Sequence, residues 1–390
     1  MAMATVASLP NQVWKSLRFC VERLPVLDRY LFQLFLPPFL FGMGAFSSIG
    51  LSVGALFETV RRVVESGLPL TIAFQVLVLK SPYFVGLAFP MATLLTMLLT
   101  FGRLGTNSEL IALRACGVRA RRWVIPAVIF SLITTGLTFA VNEAVVPVTN
   151  HQATVIVRQA LDKDRPRVER RNITYQEFDN ETGKQLLRLF YASRFDGRYM
   201  RGLTVLDFSQ EGLQQILSAE TGFWNSERKT WEFQNGTIYL VAHDGSYRNI
   251  IKFDKQEITL PRAPLDLATQ RRTPEEMSIV EAQDYLKILE RSGNLTRIRE
   301  WQVRIQQKLA IPFICLVLGL VGTALGSLPH RSSGGWAFGL SVVIIFVYYL
   351  LMFIGDALSQ AGLLAPVVGA WFPNVLGLLT GVYLLRQADR

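Results

Sequence analysis

Residues 81–101 read SPYFVGLAFPMATLLTMLLTF and contain no charged side chain. A helix needs roughly 20 predominantly apolar residues to cross the hydrocarbon core of a bilayer, and this stretch meets that length. Further uncharged runs of similar or greater length occupy 30–57, 123–142, 309–328, 332–355 and 357–385. The sequence therefore predicts an α-helical polytopic membrane protein with six transmembrane helices, three on each side of a long central block.

The central block, residues 149–300, has a different character. Its basic and acidic side chains nearly balance, although the whole chain carries a net charge of +10. Short runs rich in β-branched and aromatic residues, separated by glycines, are typical of strands in a sandwich or jelly roll. We expect an all-β, jelly-roll-like domain over 149–272, inserted between helices three and four. Seven runs fit this interpretation: Asn172–Phe178, Leu186–Phe195, Gly202–Phe208, Leu213–Ala219, Thr230–Gln234, Thr237–Ala242 and Asn249–Ile258.

Residues 273–300 predict connector helices between the β-domain and the membrane. Thr273-Pro274-Glu275-Glu276 offers a threonine N-cap, a proline at the first helical position and a glutamate at the capping-box position. Gly293 suits the end of this helix. A second helix starting near Asn294 is expected to continue into span four, so that 30–148 holds spans one to three and 301–390 holds spans four to six. One apolar face is predicted from the helical spacing of Ile279, Ala282, Tyr285, Leu286 and Leu289.

The distribution of charge predicts the orientation of the spans, because lysine and arginine accumulate on cytoplasmic loops. The loop Gly102–Arg122 contains five arginines and a single glutamate. We expect this loop, the N-terminal segment 1–29 and the C-terminus to be cytoplasmic, and the inserted domain to lie outside. Membrane topology then explains the excess of basic residues, which does not indicate nucleic-acid binding.

The same loop carries a short motif, TNSELIALRACG, at Thr106–Gly117. The pair Asn107-Ser108 can cap a helix, Glu109 suits its N-terminal end, and Gly117 can end it. Two interpretations remain open from the residues alone: a stiff helix that docks into a partner protein, or a charged loop that only fixes topology. An apolar ridge on this helix would consist of Leu110, Ile111 and Leu113.

Arg61 and Arg62 form a basic pair on the outer side of the first span, against the topological trend. Arginine binds phosphate through paired hydrogen bonds, so this pair is a candidate site for an anionic lipid headgroup. Interfacial anchoring is the alternative interpretation. Glu58 and Glu65 offset part of the positive charge.

No motif for catalysis or for cofactor binding is visible in the sequence. The chain contains no GxxxxGK[ST] phosphate-binding loop, and its three histidines are isolated from one another. The cysteines Cys20, Cys116 and Cys315 show no metal-binding spacing. We therefore expect a chain without an active site, a metal or a cofactor of its own.

Four segments, taken together, carry a family resemblance. Val26-Leu27-Asp28-Arg29-Tyr30 leads into the first span, and Phe89-Pro90-Met91-Ala92 lies in the second. Asn107-Ser108-Glu109-Leu110 and Arg114-Ala115-Cys116-Gly117 follow in the cytoplasmic loop. The chain resembles the transmembrane permease subunits of the lipopolysaccharide-export ABC transporter of Gram-negative bacteria, whose coupling helix carries an acidic residue and ends at glycine. The order of three spans, β-jelly roll and three spans is the same.

The resemblance implies a non-catalytic permease subunit in the bacterial inner membrane, with both termini cytoplasmic and the β-domain periplasmic. It would pair with a second permease subunit, identical or related, and bind a cytoplasmic ATPase dimer. The complex would extract lipopolysaccharide, or a similar anionic glycolipid, from the outer leaflet of the inner membrane. A periplasmic jelly-roll bridge protein would receive the glycolipid.

The resemblance also implies two groups of site residues. The outer part of the first span, Met43–Phe57, carries no charge and offers the headgroup no ionic contact. The headgroup would therefore contact Arg61 and Arg62. The contacts to the ATPase would come from Glu109, Leu110, Leu113 and Arg114.

Two alternative functions remain open. One is a membrane-anchored sensor or scaffold, which predicts a cytoplasmic output domain. The other is a secondary transporter, which favours polar or broken helices at the midplane.

Overall fold

The computed structural model describes residues 25–161, 170–178, 186–195, 199–208, 215–225, 228, 230–241, 247–258, 272–290, 295–328 and 334–388. Residues 1–24 of the predicted cytoplasmic segment and Gly293, the predicted helix end, lie outside these ranges.

The first three spans precede the inserted domain, as the uncharged runs predicted. The first span comprises α1 (Val26–Gly50), a π-helical segment (Leu51–Leu56) and α2 (Phe57–Ser66). The second span is α3 (Leu70–Thr106), and the short α4 (Glu109–Ala115) follows it. The third comprises α5 (Ala120–Ala140), a π-helical segment (Val141–Val145) and α6 (Val146–Leu161).

The other three spans follow the inserted domain. Helix α7 (Ile279–Glu290) is a connector, and the fourth span is the N-terminally extended α8 (Leu295–Gly326). The last two spans are α9 (Gly334–Gln360) and α10 (Pro366–Ala388). Six described helices are thus long and apolar enough to cross a membrane, which confirms the predicted helical architecture.

Spans two and four form the centre of the helix bundle. In their most apolar windows 72% and 67% of the residues are buried, against 17% in the first span. Glycines allow this close approach: a Cβ on Gly322 would lie 2.9 Å from Met97 Cβ and 3.0 Å from the Leu94 carbonyl oxygen. A Cβ on Gly326 would lie 2.9 Å from Phe101 Cβ. Small residues are favoured at such crossings because helices in lipid associate through close packing.

The inserted domain is an antiparallel β-sheet, which confirms the predicted all-β insert between helices three and four. Each strand pairs with the next along the chain, and the sheet is not closed. The jelly-roll-like domain therefore appears, in the described residues, as an open meander whose consecutive strands are joined by short connections. The strands are β1 (Arg170–Phe178), β2 (Leu186–Phe195), β3 (Met200–Asp207), β4 (Gln215–Asn225), β5 (Thr230–Val241) and β6 (Tyr247–Ile258).

The runs Thr230–Gln234 and Thr237–Ala242, predicted as two strands, contribute to the single strand β5. The sequence interpretation placed a boundary at Gly236, and that boundary is wrong. A Cβ on Gly236 would lie 2.3 Å from Phe253 Cζ and 2.7 Å from the Ser218 carbonyl oxygen. Close packing against neighbouring strands, and not a turn, therefore explains this glycine.

One face of the sheet is apolar and curved. In a flat sheet, the strands β2 and β5, which carry Phe190 and Trp231, would lie about 14 Å apart. Their ring centroids lie 5.4 Å apart, so the sheet curves around this face. One cross-strand ladder on it contains Phe190, Val205, Leu217, Ile238 and Ile251. The neighbouring ladder, on the opposite face, contains Tyr191, Thr204, Ser218, Thr237 and Lys252.

The connector helix begins later than the sequence predicted. Thr273 precedes only a short 3₁₀ turn and makes no side-chain cap. The capping box of α7 is formed by Ser278 and Glu281: the Ser278 N–H donates to Glu281 Oε2 (3.0 Å), and the Glu281 N–H donates to Ser278 Oγ (3.2 Å). Glu276, the predicted partner of Thr273, is buried and accepts a hydrogen bond from Thr154 Oγ1 at 2.8 Å.

The predicted apolar face of the connector packs against the N-terminal part of α8. Tyr285 and Trp301 have ring centroids 4.5 Å apart, and Leu289 and Ile298 belong to the same buried cluster. Helix α8 continues without a break into the membrane span, as predicted. The β-domain is therefore joined to the bundle by packed helices.

Candidate functional site

The arginine-rich loop after the second span contains a helix that is shorter than the predicted motif. Helix α4 spans only Glu109–Ala115. Ser108 has a φ of 62° and makes no side-chain cap, which corrects the predicted cap, because N-cap residues normally have an extended backbone. At the other end Gly117 has a φ of 78° and its N–H donates to the Arg114 carbonyl oxygen at 2.9 Å. The predicted termination at Gly117 is thus confirmed.

Glu109 is tied to the first span. The Tyr30 hydroxyl donates to Glu109 Oε2 at 2.8 Å, and Asn107 Nδ2 donates to Glu109 Oε1 at 3.3 Å. Asp28 on the same turn of α1 accepts two hydrogen bonds from the Arg122 guanidinium at 2.8 and 3.1 Å. The start of the first span is therefore linked both to α4 and to the start of the third span.

Leu110 and Ile111, predicted to belong to one apolar ridge, lie on different faces of α4. Leu110 is only 3% exposed and belongs to a buried cluster that includes Trp123 and Leu31, whereas Ile111 is 63% exposed. Leu113 is half-buried and Arg114 is exposed. Leu110 therefore anchors the helix to the bundle, and the surface available to a partner is carried by Ile111, Leu113 and Arg114, with Glu109 beside it.

The outer basic pair belongs to an ion-pair network. Arg62 Nη2 lies 2.5 Å from Glu58 Oε1, and Lys80 Nζ lies 3.1 Å from Glu58 Oε2. Arg61 Nε lies 3.5 Å from Glu65 Oε2, with 72% of the arginine side chain exposed. The two groups, Arg62–Glu58–Lys80 and Arg61–Glu65, together hold three cations and two carboxylates. Glu58 lies on α2 and Lys80 on α3, so this contact joins the first two spans.

The two candidate sites lie at opposite ends of one helix. The first span runs over 41 residues from Val26 to Ser66, a length of about 60 Å at 1.5 Å per residue. Tyr30, which binds Glu109, is near its start, and Arg61 and Arg62 are near its end. This continuous helix connects the loop that carries α4 with the opposite end of the bundle.

These features define a class of protein. Six apolar helices, an arginine-rich loop with a short, firmly anchored helix, and a β-domain inserted between the third and fourth spans fit the membrane subunit of a transporter. Within the described residues there is no group of three or more histidine, cysteine, aspartate or glutamate side chains placed to hold a metal ion.

Comparison with known proteins gives the family. The family described as "Lipopolysaccharide export system permease LptF/LptG" matches residues 29–387, so the chain belongs to it. The chain is 24% identical over 374 residues to the lipopolysaccharide export system permease protein LptG of Escherichia coli strain K12, covering 93% of this chain and 98% of that protein. The LptG protein of Escherichia coli O6:H1 (strain CFT073) is similar to the same extent.

Proposed function

We propose that this chain is the permease subunit of an ABC transporter that extracts lipopolysaccharide, or a similar anionic glycolipid, from the outer leaflet of the inner membrane. The family match over residues 29–387 carries this proposal, because it includes all six spans and the β-domain. In the proposed orientation both termini and α4 are cytoplasmic and the sheet is periplasmic. The arginine-rich loop around α4 supports that orientation.

The proposed energy source is a separate ATPase dimer on the cytoplasmic side. The chain lacks a phosphate-binding loop, so it needs a partner to bind ATP. Helix α4 is suited to transmit the motion of that partner, because Leu110 and the Tyr30–Glu109 hydrogen bond fix it to the bundle. Ile111, Leu113 and Arg114 form the proposed contact surface. A second permease subunit, identical or related, would complete the membrane part of the complex.

The proposed path for the acyl chains is the apolar face of the β-domain. Exposing an acyl chain to water costs about 0.8 kcal/mol per CH₂ group, so a periplasmic path must be shielded. The ladder through Phe190, Val205 and Leu217 lines the apolar interior of the curved sheet, where these side chains are buried, and this interior is the proposed path. A periplasmic jelly-roll bridge would continue the path. The edge strand β6, where Ile250 and Ile251 are 54% and 44% exposed, is suited to bind it by strand addition.

Photo-crosslinking tests the proposed path. A benzophenone amino acid at Val205 or Ile238, on the apolar face, is expected to capture glycolipid in the assembled transporter only when ATP is supplied. Thr204 is the matched control, because it is adjacent to Val205 on β3 and points to the opposite face. Equal capture at Thr204 and Val205, or capture independent of ATP, would show that the sheet is not the path.

The outer network gives a second prediction. Replacing both Arg61 and Arg62 by glutamate is expected to weaken glycolipid binding about tenfold, or roughly 1.4 kcal/mol, because phosphate loses its charged donors. Replacing both by lysine should have a smaller effect, since the charge is kept. Binding is measured at low salt, where screening is weakest. If the double glutamate variant binds glycolipid as the wild type does, these arginines are interfacial anchors.

The single variants should differ in the same assay. Arg61 is the more accessible side chain, whereas Arg62 is held by Glu58, which also binds Lys80. Arg61→Gln is therefore expected to reduce glycolipid binding more than Arg62→Gln does. Co-purification of the ATPase, which binds at the other membrane face, serves as the control and should not change.

A further inference from the structure

A cavity of about 620 Å³ lies at the outer ends of spans two to five, beneath the connector to the β-domain. Its size is that of a typical small-molecule site. Its inner part is apolar and is formed by Leu87 on α3, Ile311 on α8 and Met352 on α9, with Phe139 and Phe353 at its side. Neither Arg61 nor Arg62 contributes to its lining.

The upper rim of this cavity carries charges of both signs. Arg304 and Lys308 on α8 are the cations, and Glu143, Glu275 and Asp356 are the carboxylates. The formal charge of the rim is therefore −1, with the two signs interspersed. A rim of this composition disfavours a polyanionic headgroup and suits a headgroup that carries both a phosphate and an ammonium group.

One part of the rim is bonded to the connector, and the other part forms a loose ion pair. Glu143 Oε1 accepts a hydrogen bond from the Ile279 N–H at 2.8 Å, and Lys308 Nζ donates to the Met277 carbonyl oxygen. By contrast, Arg304 Nη1 and Asp356 Oδ2 are 3.9 Å apart, beyond hydrogen-bond distance. Each charge is held by a neutral amide instead, since Arg304 Nη1 donates to Gln307 Oε1 at 3.2 Å and Gln360 Nε2 donates to Asp356 Oδ1 at 2.8 Å. A ligand can therefore contact either charge without breaking a tight ion pair.

Two further observations favour an amphiphilic ligand from the membrane. Phe353 and Phe139 are 69% and 40% exposed, so the cavity adjoins an apolar outer surface of the bundle. The hydroxyl of Tyr349, a lining residue, is buried and has no hydrogen-bond partner among the described residues. A buried hydroxyl without a partner is costly, and a polar ligand atom beside it would remove that cost.

We propose that this cavity binds a zwitterionic aminophospholipid of the surrounding bilayer. Its phosphate contacts Arg304, its ammonium group contacts Asp356 and Glu275, and one acyl chain lies along Leu87 and Met352. The lipid fills the space between the outer ends of the spans and the connector, and thereby supports the base of the β-domain. This site is separate from the proposed headgroup site of the transported glycolipid and takes a different class of lipid.

Photo-crosslinking in vesicles of phosphatidylethanolamine, phosphatidylglycerol and lipopolysaccharide tests the proposal with the intact transporter. A benzophenone amino acid at Phe353 is expected to capture phosphatidylethanolamine about tenfold above its share in the vesicle, a preference of roughly 1.4 kcal/mol. Phe346 is the matched control, because it lies two turns away on α9 and is 66% exposed outside the cavity. Capture at Phe346 should follow the bulk lipid composition.

The charge pair provides the second arm of the test. Arg304→Gln combined with Asp356→Asn should reduce capture at Phe353 to the bulk composition, while folding and assembly persist because the pair is not tightly bonded. Preferential capture of lipopolysaccharide at Phe353 would overturn the proposal, as would capture at the bulk composition by the wild type. ATP-driven glycolipid transfer, measured on the same vesicles, separates failure of this site from failure of the proposed export function.

Discussion

Replacing Glu109 by arginine is expected to lower the affinity of the permease for its ATPase at least about tenfold and to uncouple ATP hydrolysis from export. Glu109 lies at the N-terminal end of α4, beside the exposed Ile111. Placing an unmatched charge in a protein interface typically costs about 2–5 kcal/mol. Co-purification of the ATPase and ATP-dependent glycolipid release measure the two effects.

Tyr30→Phe is the matched control for this variant. It removes the 2.8 Å hydrogen bond to Glu109 Oε2 and leaves the carboxylate in place. If Glu109 contacts the ATPase directly, Tyr30→Phe should retain most of the binding. If Glu109 only positions α4 through the first span, the two variants should behave alike. Normal ATPase binding and export by Glu109→Arg would contradict the proposed coupling role altogether.

Replacing Gly322 by leucine is expected to prevent formation of a stable helix bundle. Even a Cβ at this position would lie 2.9 Å from Met97 Cβ and 3.0 Å from the Leu94 carbonyl oxygen, so spans two and four must separate. Overpacking a closely packed core costs about 1–3 kcal/mol and sometimes more, and a leucine adds three further carbon atoms. The yield of monodisperse protein and its thermal midpoint should both fall sharply.

Gly136→Leu is the control for the bundle prediction. Gly136 is exposed on the third span, and a Cβ there would meet no atom within 4 Å. This variant should fold and assemble like the wild type. Equal yield and equal thermal midpoints for Gly322→Leu and Gly136→Leu would show that the contact between spans two and four does not determine the stability of the bundle.

The sequence predicted the membrane architecture because the absence of charge over a span-length stretch is itself the physical requirement for crossing a bilayer. It also predicted the β-insert and the end of α4 at Gly117, since strand alternation and glycine caps are local signals. The strand boundary predicted at Gly236 is wrong, because this glycine is required by a close contact with Phe253 on the neighbouring strand and not by a turn.

The details of the candidate sites depended on contacts between distant residues. Tyr30 and Glu109 are 79 residues apart, and Asp28 and Arg122 are 94 residues apart, so nothing in the local pattern pairs them. Leu110 points into the bundle because of the way α4 packs on it. Helical spacing alone does not determine which side of α4 is buried. The pairing of Lys80 with Glu58 likewise requires the arrangement of the first two spans.

The transfer of glycolipid from a membrane tests the central claim most directly. Proteoliposomes would contain this chain, its partner permease, the ATPase and lipopolysaccharide, with a soluble jelly-roll acceptor protein outside. We predict that lipopolysaccharide reaches the acceptor only when ATP is hydrolysed, and that transfer falls to background when this chain is omitted or carries Glu109→Arg. Transfer that proceeds equally without ATP, or without this chain, would contradict its assignment as the permease of a lipopolysaccharide-type glycolipid.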